Sequence, residues 1–264
     1  MDGVIFKQAG QYAMCCVESL SDELKTALRE NLTRICHGAD LASRDMVIFK
    51  YEATLKSFWD RYSTKDLNIR TGMLGELLAH VIILKKLYSF DVISPFFNME
   101  EKHIRKGFDL VLYDSTSNEV WITEVKSGGA GQKTSCAATK ALLAKARDDL
   151  KVRLAESEMN HWLNAINAAQ KSINNKTRYK ESVLDILGIE GEKAYSDSAV
   201  ASDNNVVLVS ALFNDFTKKV EETTIADFTG SLLATPTFKK ILVLSLQKGT
   251  LQKLEDFLRT EAGC

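Results

Sequence analysis

Proline is nearly missing from this chain: Pro95 and Pro236 are the only two in 264 residues. No Gly/Ser/Pro-rich tract, low-complexity segment or internal repeat accompanies them, so a flexible linker between domains is excluded and any division of the chain is soft. No run of eighteen apolar residues occurs, which argues against a membrane span, and Met1-Asp2-Gly3 lacks the basic stretch and apolar core of a signal peptide. The default expectation is a cytoplasmic protein with no membrane partner. Cys15, Cys16, Cys36, Cys136 and Cys264 are odd in number and show no Cys-x-x-Cys spacing, which argues against a disulfide framework and against a zinc site. A large charge of either sign is also lacking. The formal net charge is -1, whereas a protein that grips nucleic acid unaided usually has a basic balance.

What the chain has is a globular composition, 45% hydrophobic and 26% charged, enough for one sizeable or two small domains. Residues 1–70 read as an N-terminal α+β region. It contains short apolar runs at Val4-Ile5-Phe6 and Tyr12–Val17, a helix capped by Ser21, a strand-like Met46–Phe49 and a helix over Leu55–Tyr62. Residues 71–264 read as a second unit. A helix over 73–88 is followed by strands at Asp91–Phe97, Leu110–Tyr113 and Val120–Lys126, then by a crossover helix over Ala137–Ala155. The continuous apolar runs Val206–Ala211 and Ile241–Leu244 suit strands buried on both faces, and a helix over Leu251–Arg259 closes the chain. A polar helical insertion is expected at about 158–200.

The chemistry concentrates in residues 107–126. Two runs of β-branched and apolar residues flank the polar turn Asp114-Ser115-Thr116-Ser117-Asn118, the pattern of a β-hairpin. Alternation along the second strand puts Glu124 and Lys126 on one face, and Asp109 at the opening of the first strand comes level with them across the hairpin. Taken alone, Glu-x-Lys is a common surface pair. Upstream, Thr71-Gly72-Met73-Leu74-Gly75-Glu76 opens a strongly apolar helix in which Glu76 has apolar neighbours on both sides, either as a helix-dipole partner or as a third acidic group of a site. Two carboxylates beside a lysine suit a hard Mg²⁺ or Mn²⁺ ion, which takes oxygen ligands and retains water and phosphate oxygens in its other positions. On that reading Asp109, Glu124 and the Val125 backbone carbonyl are metal ligands, Glu76 completes the site, and Lys126 orients water or neutralises developing charge. Between 126 and 153 seven basic residues stand against Asp148 and Asp149, which makes Lys133, Lys140, Lys145 and Arg147 candidate phosphate contacts. The basic and polar residues of 161–180, His161 and Lys180 among them, continue the trend.

Glu76 on a helix, Gly107-Phe108-Asp109 and Glu124-Val125-Lys126 together resemble the PD-(D/E)XK nuclease superfamily, with Phe108 standing where that family's proline precedes the aspartate. The order Leu74-Gly75-Glu76, Gly107-Phe108-Asp109-Leu110 and Thr123-Glu124-Val125-Lys126-Ser127-Gly128 is further similar to the HamA family, nuclease subunits of Hachiman antiphage systems. The resemblance implies an α/β fold with a mixed central sheet flanked by helices, with residues 71–264 as the nuclease domain. It also implies Mg²⁺-dependent hydrolysis of phosphodiester bonds in nucleic acid, DNA being the expected substrate, and a HamB-like helicase subunit as partner. The alternative is a non-catalytic subunit of nuclease fold that binds a helicase or DNA.

Rival motifs are weaker. Gly128-Gly129-Ala130-Gly131-Gln132-Lys133-Thr134 follows a strand and precedes a helix, yet it lacks the glycine before lysine and the glycine spacing of a phosphate-binding P-loop. His103 with Glu100 and Glu101 suggests a solvated loop more than a metal cluster.

Overall fold

The computed structural model of the protein describes residues 1–95, 107–235 and 237–264. Pro236, part of Asp91–Phe97 and the group Glu100, Glu101 and His103 lie outside the described residues.

The chain opens with an antiparallel pair, β1 (Val4–Ala9) and β2 (Tyr12–Val17), followed by helices α1 (Asp22–His37) and α2 (Ala39–Ala42). Ser21 caps α1 as its sequence position suggests, its Oγ accepting from the Leu24 backbone N–H at 3.3 Å. Met46–Phe49 is not a strand. Val47–Phe49 forms one 3-10 turn, and Val47 is 79% and Ile48 60% exposed, so these apolar side chains face solvent instead of entering a sheet. Helix α3 (Tyr51–Tyr62) then leads into α4 (Leu67–Lys86), whose Asp66 cap accepts from the Ile69 N–H at 3.0 Å. Starting at Leu67, α4 is longer at its N-terminal end than the sequence pattern suggests. Among the described residues it alone is long and apolar enough to cross a membrane, yet half of it is buried against the sheet and neighbouring helices, as an all-round apolar core helix requires.

The short β3 (Phe90–Val92) ends before Ile93, two residues ahead of Pro95, so the expected first core strand is reduced to three residues. A proline has no amide N–H to offer a ladder. Strands β4 (Leu110–Asp114) and β5 (Glu119–Gly129) form the expected hairpin, with Asn118 in the left-handed region at φ 54°. Helix α5 (Ser135–Ala155), capped by Thr134, crosses to the polar helices α6 (Asn160–Ser172) and α7 (Lys180–Tyr195). Next come β6 (Asn205–Phe213), α8 (Glu222–Ala234), β7 (Lys240–Lys248) and α9 (Gln252–Glu261).

The seven strands form one mixed sheet in the order β1-β2-β7-β6-β5-β4-β3. Strands β5, β6, β7 and β2 run parallel, and antiparallel pairs finish both edges. β6 is apolar along nearly its whole length because it is buried on both faces. Residues of α1, α3, α4 and α9 share one core with Trp121, Val125, Val209 and Leu244 of the sheet. Residues of α5 to α8 share the other with Ile122, Leu208 and Val243. The architecture is α/β, and its meander β3-β4-β5 sits between α4 on one side and α5 on the other.

Candidate active site

Period-two alternation along β5 sends Trp121 and Val125 to the α4 face and leaves Glu124 and Lys126 on the α5 face with Ile122. The hairpin register pairs Leu110 with Thr123, so Asp109, one residue earlier, stands opposite Glu124. The Asp109 carboxylate accepts from the Val125 backbone N–H at 2.7 Å, which locks the opening of β4 to the middle of β5. Glu124 is fully buried. Its Oε1 accepts from Lys126 Nζ at 2.6 Å and from Arg153 Nη2 at 3.4 Å, and its Oε2 accepts from Arg153 Nη1 at 2.7 Å. Lys126 Nζ reaches Asp149 at 2.8 Å, and Arg153 Nη1 also donates to the Gly107 carbonyl at 3.1 Å. Asp149 and Arg153 are one turn apart on α5 and reach the cluster from the same stripe of that helix.

Glu76 approaches from the other side of the sheet. It is the tenth residue of α4, beyond the reach of the N-terminal dipole, so the helix-dipole reading of this residue is removed. Its carboxyl is raised well above the usual glutamate range by burial, then by the negative charges of Asp109 and Glu124, with Lys126 opposing. Burial, and after it the charge of Glu124, lifts Asp109 to about 7 despite the Val125 N–H and the nearby Lys126 and Arg153. Burial pulls Lys126 down, but Glu124 and Asp149 outweigh it, and the ammonium ends above its ordinary value. Glu76, Asp109, Glu124 and Lys126 therefore form one electrostatic cluster, in which acidic groups crowd each other enough to disfavour full ionisation.

The close approach of α4 depends on Gly75. A Cβ built there would lie 1.8 Å from Ser127 Oγ, 2.7 Å from Ser127 Cβ and 3.0 Å from Ala211 Cβ. Gly75→Ala is expected to lower stability by about 1–3 kcal/mol, since an overpacked contact shifts the backbone. It should also displace Glu76 from the cluster. Thermal melts of Gly75→Ala alone and with Ser127→Gly check this: the second change should recover most of the loss, and an unchanged melt for the single variant would refute the contact.

The basic candidates separate. Lys133, Lys140 and Lys145 are exposed and make no ion pair among the described residues, whereas Arg147 donates to its neighbour Asp148 at 2.7 Å. Helical phase puts Lys145 one turn before Asp149, on the stripe nearest the cluster, and Lys140 on the far side. Two residues that the sequence grouped with phosphate contacts are corrected. Lys180 is buried and donates to the Gln170 and Ile173 carbonyls and to Asn175 Oδ1, and His161 is buried with Nε2 3.9 Å from Glu156 and 3.8 Å from Glu158. Both side chains serve the helical layer. Arg153 and Asp149 were missed as members of the cluster. The i,i+4 pair Asp149-Arg153 on the helix after the strand is the available signal, which a count of net charge over 126–153 conceals.

A mixed α/β sheet that joins an aspartate and a Glu-x-Lys strand at one hairpin, with a glutamate from the flanking helix in electrostatic range, has the layout of the PD-(D/E)XK class that the sequence resembles. The HamA family model matches residues 10–262. The chain belongs to the HamA family, which makes it a component of Hachiman antiphage defence. Comparison with curated proteins finds no match.

Proposed function

We propose that the protein is a metal-dependent nuclease that hydrolyses phosphodiester bonds of nucleic acid, with DNA as the substrate and a helicase as its partner in antiphage defence. The observation that carries this reading is the convergence of the half-buried Asp109 and Glu76 and the buried Glu124 around Lys126, because carboxylates that raise one another's proton affinity are relieved by a divalent cation. The donors are all oxygen, which fits Mg²⁺ or Mn²⁺ better than a thiophilic metal. Asp109 and Glu124 would hold the ion, with the Val125 carbonyl and Glu76 as further donors. When bound, the ion supplies Lewis-acid stabilisation of the phosphate and a more acidic water.

The chain's own residues do the rest. Lys126 stays protonated, so it contributes positive charge and a hydrogen bond near the scissile phosphate and does not act as a base. Glu76, whose carboxyl is raised by burial and by its acidic neighbours, completes the acidic cluster from α4. Asp149 fixes the Lys126 ammonium, and Arg153 balances the Glu124 carboxylate until a metal takes its place.

The test is incubation of the purified protein with plasmid, linear DNA and RNA plus Mg²⁺, alone and with the helicase encoded beside its gene. Cleavage that needs Mg²⁺ and vanishes in Glu124→Ala and Lys126→Ala is expected, and cleavage that survives chelator or both substitutions rejects the reading. A second reading, a nuclease-fold subunit that binds helicase or DNA without cutting, is favoured by one observation: Glu124 is already engaged by Lys126 and Arg153. Divalent-metal binding at Asp109 and Glu124 separates the two.

The raised Asp109 also sets a pH dependence. Its folded value of about 7 lies above the ordinary 3.8, so the folded protein holds this proton more tightly than the unfolded chain does. The stabilisation is complete below pH of about 4 and is lost as pH rises from there through about 7. Metal-free melts should show that loss, and Asp109→Asn should lessen it, the raised Glu76 supplying the remainder. Parallel pH profiles for the two proteins would contradict the assignment.

A further inference from the structure

The four parallel strands point their C-terminal ends to one edge, and a lysine that the catalytic cluster does not use is buried there. Lys248 ends β7, is 3% exposed, and lies on the sheet face covered by α4 and α9. The register sets Gly129, Phe213 and Lys248 level, three residues beyond the Lys126-Ser210-Ser245 row and two strands across from β5. At strand spacings this separates the Lys248 and Lys126 backbones by about 14 Å, and the two side chains leave opposite faces of the sheet. Among the described residues no carboxylate pairs with Lys248, and burial, with Lys253 beside it, pushes its ammonium down to about 8. A methionine would fill the same space without the desolvation cost, so the charge itself calls for an anion.

The same edge gathers further positive charge from the segments that follow β5, β6 and β7, Lys253 standing in the first turn of α9. Lys133 follows β5, Lys218 follows β6 and Lys253 follows β7; all three are exposed and unpaired among the described residues. Of the nearby acids Glu18 and Asp215, only Glu18 is paired with a cation among the described residues, and Asp215 keeps its charge beside Lys218. Glu18 accepts from Lys219 at 2.8 Å, and Asp215 accepts from the Thr217 N–H at 2.7 Å. The N-termini of α5 and α9 face this edge too and add partial positive charge. We propose that the C-terminal edge of β5, β6 and β7, centred on Lys248 and rimmed by Lys133, Lys218 and Lys253, is a track that holds the phosphodiester backbone of a nucleic acid strand across the sheet edge from the Glu124-Lys126 face of the catalytic cluster. This inference rests on the nuclease reading. A row of separate cations along a strand edge fits a polyanion with evenly spaced single charges better than it fits a compact anion.

The experiment measures anisotropy of labelled single-stranded DNA, duplex DNA and RNA oligonucleotides titrated with the full chain in chelator, over a range of salt. Lys248→Met should weaken binding about eightfold at 0.1 M salt and reduce the salt slope by about 0.7–0.9, the loss of one phosphate contact. Lys248→Arg should keep most of the binding. The melting temperature of Lys248→Met should equal or exceed that of the wild type, because an unpaired buried charge has been removed. Unchanged affinity and slope in Lys248→Met overturns the proposal, as does a wild-type chain that binds none of the strands. A loss of binding that tracks a lower melting temperature and is not spared by arginine also overturns it. Binding is read without metal, so a chain that binds through Lys248 but never cuts leaves this inference standing and rejects the nuclease reading. A chain that cuts while Lys248→Met binds normally does the reverse.

Discussion

Glu124→Gln is expected to lower Mg²⁺-dependent cleavage by at least about a thousandfold while the protein remains folded. Metal polarisation of phosphate and water is worth several kcal/mol, and each 1.36 kcal/mol is a factor of ten in rate. Glutamine keeps the shape of the side chain but removes the charge that Asp109 and Glu124 would share around the ion, so the loss should fall on the chemical step and on metal binding together. Lys126 adds a test of role. Glu124 and Asp149 hold it in its charged form, so Lys126→Arg should retain part of the rate, whereas Lys126→Met should lose nearly all of it. Plasmid cleavage by the three variants, with melts to confirm folding, checks both claims. Wild-type rates in Glu124→Gln would end the nuclease assignment, and equal losses in the two Lys126 variants would end the charge-stabilisation role.

Much of this site was legible in the sequence because it depends on short-range periodicity. The two-residue alternation of a strand places Glu124 beside Lys126, and a short polar turn, four residues in the structure, puts Asp109 opposite them. Helix α4 and strands β5, β6 and β7 were marked by apolar runs long enough to outweigh local ambiguity. The parts that were hidden depend on which faces meet at long range. Nothing local says that α5 turns Asp149 and Arg153 toward β5, because the helix rotation is set by Leu143, Ala146 and Leu150 packing in the core beneath. Gly75 likewise reads as a mild helix defect until Ser127 is found against it. Helix α8 was missed because Thr223, Thr224 and Gly230 weaken its intrinsic preference, and burial of Ile225, Phe228 and Leu232 supplies what propensity does not. Met46–Phe49 erred in the opposite direction: its β-like composition forms one exposed 3-10 turn that leads into α3.

Arg153→Met should lower the stability of the metal-free protein by about 3 kcal/mol, near the low end for removing one partner of a buried ion pair. Glu124 is inaccessible to water and depends on the guanidinium for two of its three charge-assisted hydrogen bonds, leaving Lys126 alone to balance it in the variant. The same guanidinium ties α5 to the Gly107 carbonyl two residues before Asp109, so its loss also loosens the opening of β4. For a chain of this size the expected fall in melting temperature is about 6–12 °C. The arginine has a second consequence, because it occupies carboxylate oxygens that a divalent ion would need. Wild-type protein must exchange this ion pair for metal coordination, whereas Arg153→Met offers a carboxylate with one competitor fewer. Mg²⁺ should therefore raise the melting temperature of Arg153→Met by more than it raises that of the wild type, since stabilisation by a ligand grows with its affinity for the folded state. Melts with and without Mg²⁺ decide both points. A variant that melts with the wild type in chelator would show that the ion pair contributes nothing to the fold, and equal metal-induced shifts would show that Arg153 does not compete for the site.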